Sequence, residues 1–314
     1  MYNVSVSPHV REQSTTQSIM RDVIIALLPI LAFGVYHFGF GALQVIIISV
    51  VTCVVGELLF DLAVKKPVTV FDGSAVVTGL ILAINLPATA IWWMPVLGGL
   101  FAIVAVKMLF GGLGQNFMNP ALAARCFLLI SFSGRMTDFT LDGVSAATPL
   151  ASIKAGEIPD LLSLFLGFHG GCIGEVSALA ILAGGAYLII KKIISIRIPL
   201  TYVLSTVVFI LLINLINGGD TSAAYLAAQV LSGGLLVGAF FMATDYATSP
   251  ITVKGQLLYG MLLGLFTALF RTVGSSAEGV SYAIIICNLL VPLIEKVTIP
   301  RPFGSEKAKG GSKA

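Results

Sequence analysis

Asp142-Gly143-Val144-Ser145-Ala146-Ala147-Thr148-Pro149 lies at the centre of Ser133–Gly170, the one long interval not built like a membrane span. Apolar runs fill the chain on both sides, so this interval divides the sequence into two blocks. Of the 314 residues, 57% are hydrophobic and 11% charged, with mean hydropathy +0.99. A soluble domain carries about 25% charged residues. The composition therefore excludes a soluble enzyme and points to an integral membrane protein. The net charge of +3 is spread along the loops and forms no nucleic-acid-binding block.

Working outward, ten apolar runs approach the roughly 20 residues needed to cross a bilayer. They are Met20–Phe38, Ala42–Val64, Gly73–Leu86, Trp92–Phe110, Asn119–Phe132, Glu175–Ile190, Ile198–Ile216, Ala223–Ala243, Leu257–Arg271 and Val280–Val297. The third, fifth and sixth are short for full spans. The expected organisation is an N-terminal segment (1–18), a first membrane block (19–132), a loop (133–174), a second block (175–297) and a tail (298–314). Met1–Arg21 is polar and does not read as a signal peptide. With a cytoplasmic N-terminus, ten crossings put 14 of the 18 basic residues on the cytoplasmic side. Arg135, Lys154 and Arg271 fall outside, and Arg125 lies within a span. Thr148 is then extracytoplasmic.

The blocks resemble each other. Gly99 and Gly260 are 161 residues apart, as are Cys126 and Cys287, and Gly79 aligns with Gly238 at an offset of 159. Small apolar residues also produce such matches by chance. A true repeat of five spans must enter the membrane from opposite sides, which is an inverted repeat with its site between the halves. The four cysteines are far apart and show no ligand spacing.

Four constellations could carry chemistry. Lys107, Gly111-Gly112-Leu113-Gly114 and Asn116 precede Asn119-Pro120. They read either as a tight connection or as backbone amides and a lysine holding an anionic or flavin-like group. Asp72-Gly73-Ser74 opens the short third run, with Asp72 a capping residue and the run a candidate broken helix. Glu57 and Asp61 lie one turn apart. They are expected to pair with Lys65 and Lys66, or to mark a cation or proton route. Asp245 sits in Thr244-Asp245-Tyr246-Ala247-Thr248-Ser249-Pro250, where it stabilises a turn or helps couple a small cation.

Asp142-x-x-Ser145-Ala146-Ala147-Thr148 resembles the flavinylation signal Asp-x-x-Ser-Gly-Ala-Thr, with Ala146 in place of glycine. The turn-forming residues alone are also those of an ordinary loop. Further matches follow in order: Ser7-Pro8-His9, Ser18-Ile19-Met20, Phe71-Asp72-Gly73-Ser74-Ala75, Phe110–Asn116, Asn119-Pro120-Ala121 and Met242-Ala243-Thr244-Asp245. Together they resemble the NqrB/RnfD family of flavoprotein membrane subunits, from about Ser7 to Gly304. The short segment before the first span favours its Rnf branch. The resemblance implies FMN joined to Thr148 by a flavin transferase and a non-covalent riboflavin. It implies partners of the RnfA, RnfB, RnfC, RnfE and RnfG types, and a bacterial or archaeal cytoplasmic membrane. The implied activity is ferredoxin/NAD oxidoreduction coupled to Na⁺ or H⁺ movement, and the implied fold is an all-α five-plus-five inverted repeat of the urea-channel type. The competing class is a transporter or channel for a small solute, since inverted repeats with broken helices are a common transporter plan.

Overall fold

The computed structural model describes residues 14–141, 144–145, 148–274 and 279–300. Each of the ten apolar runs is helical. They are α1 (Thr16–Phe38), α2 (Phe40–Val64), α3 (Ser74–Ile84), α4 (Trp93–Met108) and α5 (Pro120–Ser131) in the N-terminal part. After the central loop come its helices α6 (Pro149–Lys154) and α7 (Leu161–Leu166), then α8 (Ala178–Ile190) and α9 (Arg197–Asn217). The eighth run is broken into α10 (Ala223–Leu231) and α11 (Leu235–Met242), bent by 61°. α12 (Val253–Thr272) and α13 (Val280–Thr298) complete the chain. α1, α2, α9, α12 and α13 are long and apolar enough to cross a membrane, and the bent pair passes the same test as a unit.

Local sequence sets the helix limits. Asn119 caps α5 with its Oδ1 accepting from the Ala121 and Leu122 amides, and Pro120 takes the first turn. Thr252 caps α12 by accepting from the Gly255 amide, so that helix starts four residues earlier than its apolar run. The α10/α11 break falls at Ser232-Gly233-Gly234, where both glycines hold φ +67°. Only glycine adopts that conformation without strain.

The connections gather at two ends. At one end Gln17 donates to Phe71 O (2.9 Å), Tyr246 donates to Ile193 O, and Ile251 N donates to Glu295 (3.1 Å). At the other, Thr89 donates to Asp138 O (2.6 Å), Lys154 donates to Gly274 O (2.8 Å), and His37 meets His169 O (3.2 Å). The first set joins the connections after the second, sixth and eighth runs, and the second set those after the third, fifth and ninth.

The core lies where the two parts face each other. α1 packs on α8 so closely that a Cβ on Gly184 would strike the Ala26 carbonyl and the Phe241 ring. Residues 172–177 enter the interior as a turn, closed by the Glu175 amide donating to Cys172 O (3.0 Å), and are buried throughout. There the Ile173 and Gly174 amides donate to Leu86 O (3.1 Å) and Ile84 O (2.8 Å), carbonyls at the end of α3. Backbone inside a membrane protein must find such internal partners.

Candidate cofactor site

Thr148 is the N-cap of α6. Its Oγ1 accepts from the Ala151 amide (3.3 Å), and the side chain is half-buried. Pro149 presets the first helical turn. α6 is anchored by Leu150 and Ile153, which join Leu164 and Ala228 in a small apolar cluster. The hydroxyl therefore stands at the rim of a docked helix, against α10 of the broken span. On the last residue of α6, partial burial holds the Lys154 ammonium below the ordinary lysine value. Asp142 and the side chain of Ser145 lie outside the described residues.

At the opposite end of the broken span is a cleft enclosing about 810 Å³ of empty space, its open mouth included. Its walls come from α1 (Met20, Val23), α3 (Ser74, Thr78, Ile81), α4 (Lys107), Asn116, and the α8 and α11 ends with Asp245. Three of the sequence-selected residues, Lys107, Asn116 and Asp245, thus converge across the boundary between the two parts. Both flanking helices are wound as π-helix here, Phe101–Met108 and Gly238–Met242. Such turns are rare and recur at functional sites. Asn119 ties the two parts together by donating from Nδ2 to Met242 O (3.4 Å).

The polar groups of the cleft are held by partners. Lys107 is 2% exposed, and its ammonium donates to Glu57 Oε2 (2.6 Å) and Ser74 Oγ (2.6 Å). Asp245 accepts from Thr248 Oγ1 (3.1 Å) and from the Asn116 side chain. Asn116 also donates to Met118 O (3.0 Å).

One expectation is corrected. Glu57 and Asp61 do not pair with Lys65 and Lys66. α2 ends in a left-handed Lys65 (φ 56°), and both lysines are exposed, while Glu57 takes Lys107 from α4. The glycine segment forms a tight turn. The Gly111, Gly112 and Gln115 amides donate to Met108 O, Lys107 O and Gly112 O within the turn, and Gly112 does not line the cleft.

Sequence reasoning missed a second charged pair. Arg125 on α5 donates to Asn85 Oδ1 (2.8 Å) and Glu175 Oε1 (3.1 Å), and reaches the Cys172 thiol at 3.5 Å. Glu175 read only as the start of the sixth run. The usable signal was an arginine inside an apolar helix, which must have an internal partner.

The residues present suit a planar, largely apolar ligand. Apolar walls with a few placed polar groups are the usual plan of a small-molecule site. Asn116, Ser74 and Thr78 offer the amide and hydroxyl groups here. Cys53, Cys126, Cys172 and Cys287 are all buried, and none of them is in a disulfide.

The chain matches the NQR2, RnfD, RnfE family over residues 3–304. It is 52% identical over 320 residues to the D subunit of the Na⁺-translocating ferredoxin:NAD⁺ oxidoreductase complex of Acetobacterium woodii, covering 99% of this chain and 98% of that one. It is 38% identical to the D subunit of the proton-translocating ferredoxin:NAD⁺ oxidoreductase complex of Clostridium ljungdahlii, covering 98% and 97%. It is 34% identical to the D subunit of the ion-translocating oxidoreductase complex of Escherichia coli (strain K12 / DH10B), covering 98% and 99%. On a match that spans nearly its whole length, the chain belongs to the NQR2, RnfD, RnfE family.

Proposed function

We propose that this chain is the D-type membrane subunit of an ion-translocating ferredoxin:NAD⁺ oxidoreductase complex, with FMN attached to Thr148. The observation that carries this reading is end-to-end correspondence with subunits of that kind, 52% identical in one case. Half-burial of Thr148 at a helix start supports the attachment site, since a transferase needs an accessible hydroxyl. FMN bound there supplies one redox station. α6 holds the hydroxyl at the rim, and the apolar cluster beneath it fixes the position of that rim.

The cleft is the place for the second, non-covalent flavin, riboflavin. Ile81, Val23 and Phe241 supply flat apolar walls, and Asn116, Ser74 and Thr78 supply hydrogen bonds at the edge. Lys107 holds a positive charge at the wall through Glu57. Gly112 contributes the turn that positions Asn116. The two stations lie at opposite ends of the α10/α11 span.

Ten crossings in an inverted five-plus-five repeat account for the two groups of connections. The repeat is supported by packing: a Cβ on Gly99 would meet Thr52 and Cys53 of α2, and one on Gly260 would meet Thr201 and Tyr202 of α9. Each glycine thus seats its helix on the second run of its own block. The basic-residue asymmetry puts the cleft end in the cytoplasm and Thr148 outside, in a bacterial or archaeal cytoplasmic membrane.

Expression with a flavin transferase that is exported, confined to the cytoplasm, or omitted tests attachment and sidedness together. Intact mass should show the FMN adduct only with the exported transferase, and no adduct in Thr148→Val. Loading by the confined enzyme would reject the orientation, and loading of Thr148→Val would reject the site.

For ion coupling, Asp245 is the leading residue of the cleft, ahead of Glu57 and Asp61. In vesicles containing the whole complex, Asp245→Asn should lower ion uptake more than reductase rate. Proportional loss of both, or no change in either, would leave Asp245 a turn-stabilising residue.

A further inference from the structure

Glu57 and Asp61, on the last turns of α2, are both 0% exposed. Thr69 reaches back between them from the following connection. Its Oγ1 lies 2.8 Å from Glu57 Oε1 and 3.0 Å from Asp61 Oδ2, and its amide donates to Asp61 Oδ2 at 2.9 Å. Lys107 links this group to a third carboxylate: it donates to Ser74 Oγ, which donates to Asp72 Oδ1 at 2.5 Å.

Two counts do not balance. One is hydrogen: the Thr69 hydroxyl has a single hydrogen for two carboxylate oxygens. The other is charge. Among the described residues, the one ion pair made by any of these three carboxylates is that of Glu57 with Lys107, and Lys65 and Lys66 face solvent. The carbonyl end of α2 adds further negative potential. Asp61 Oδ1 is buried and accepts no hydrogen bond from the protein. A buried carboxylate without compensation is costly.

We propose that this pocket binds one Na⁺ ion, with Asp61 Oδ1 as the principal ligand and Glu57 Oε1 and Thr69 Oγ1 beside it. The ion supplies the missing positive charge. The Thr69 hydrogen then serves one carboxylate while the ion neutralises the other. Carboxylate and hydroxyl oxygens are hard donors, which suit an alkali or alkaline-earth cation rather than a thiophilic metal. Thr69 is itself exposed, so the ion has an entry from the α2–α3 connection. This site deepens the ion-coupling part of the function proposed above, on which it rests. It adjoins the cleft through Glu57 and Lys107, so a charge arriving in the cleft and the bound ion act on the same ammonium.

The test is thermal unfolding of the full-length chain in detergent, with NaCl exchanged for choline chloride at constant ionic strength. Binding to the folded state alone raises Tm with Na⁺ concentration in a saturable way. The wild type and the exposed-surface variant Glu157→Gln should show that rise, and Asp61→Asn and Thr69→Val should lose it. If Asp61→Asn does not fold, Asp61→Glu keeps the charge, displaces the oxygen and should move the Na⁺ midpoint at least tenfold. A wild-type Tm indifferent to Na⁺, or an Asp61→Asn response equal to wild type, overturns the proposal. So does a Na⁺-insensitive stability that varies with pH alone, which would assign the pocket to a proton. The assay needs no flavin, so its failure leaves the FMN and riboflavin assignments standing.

Discussion

Arg125 and Arg271 are both 3% exposed, both lie in apolar helices, and both brace a place where a span is interrupted. They are held differently. Arg125 beside the α3 end faces a carboxylate, Glu175, and an amide, Asn85. Arg271 on α12 faces the α10/α11 break and donates to Gln229 O (2.5 Å), Ser232 O (2.9 Å) and Gly233 O (3.1 Å), with Gln229 Oε1 at 3.2 Å. At the first break the chain satisfies its own carbonyls through residues 173–174, so the arginine serves a side-chain charge. At the second, the guanidinium itself closes the C-terminal carbonyls of α10. The two breaks are therefore held by unlike means, one ionic and one by a helix end.

This contrast sets an order of effects. Arg125→Met strands the buried Glu175 carboxylate and should cost about 3–5 kcal/mol. Adding Glu175→Gln should recover most of that loss, because the uncompensated charge is gone. Arg271→Met strands neutral carbonyls and should cost less, about 1–3 kcal/mol. Adding Gln229→Leu should not rescue it, because the backbone carbonyls stay exposed to the apolar interior. Unfolding in detergent, followed by tryptophan fluorescence or by SDS titration, reads all four variants. An Arg271→Met cost above that of Arg125→Met, or no rescue by Glu175→Gln, would break the comparison.

Most of the helical layout was legible because apolar run length is a local signal. Every run corresponds to a helix, and boundary errors trace to caps, as at Thr252. The break in the eighth run carried a sequence mark, Ser232-Gly233-Gly234, but hydropathy averages across three small residues. The partners of buried charges were not legible. Glu57 was assigned to lysines nearby in sequence, whereas its partner Lys107 is fifty residues away and is brought close by α4 packing on α2. Arg125 and Glu175 meet across the same separation. Side chains in an apolar interior pair with whatever ion the fold brings near, and sequence spacing within one helix says little about that. The convergence of Lys107, Asn116 and Asp245 on one cleft likewise required the two parts to be packed.

The two proposed flavin sites present the same kind of contrast. One depends on a single hydroxyl at a rim, the other on a cleft built by both parts of the chain. The most direct test is to denature the purified, transferase-matured protein and separate flavin that stays on the polypeptide from flavin that is released. The account predicts roughly equal amounts in the two fractions. Thr148→Val should empty the bound fraction alone, and Val77→Trp, which fills the cleft, should empty the released fraction alone. Covalent flavin persisting in Thr148→Val, or released flavin undiminished by Val77→Trp, would contradict the assignment of these two sites.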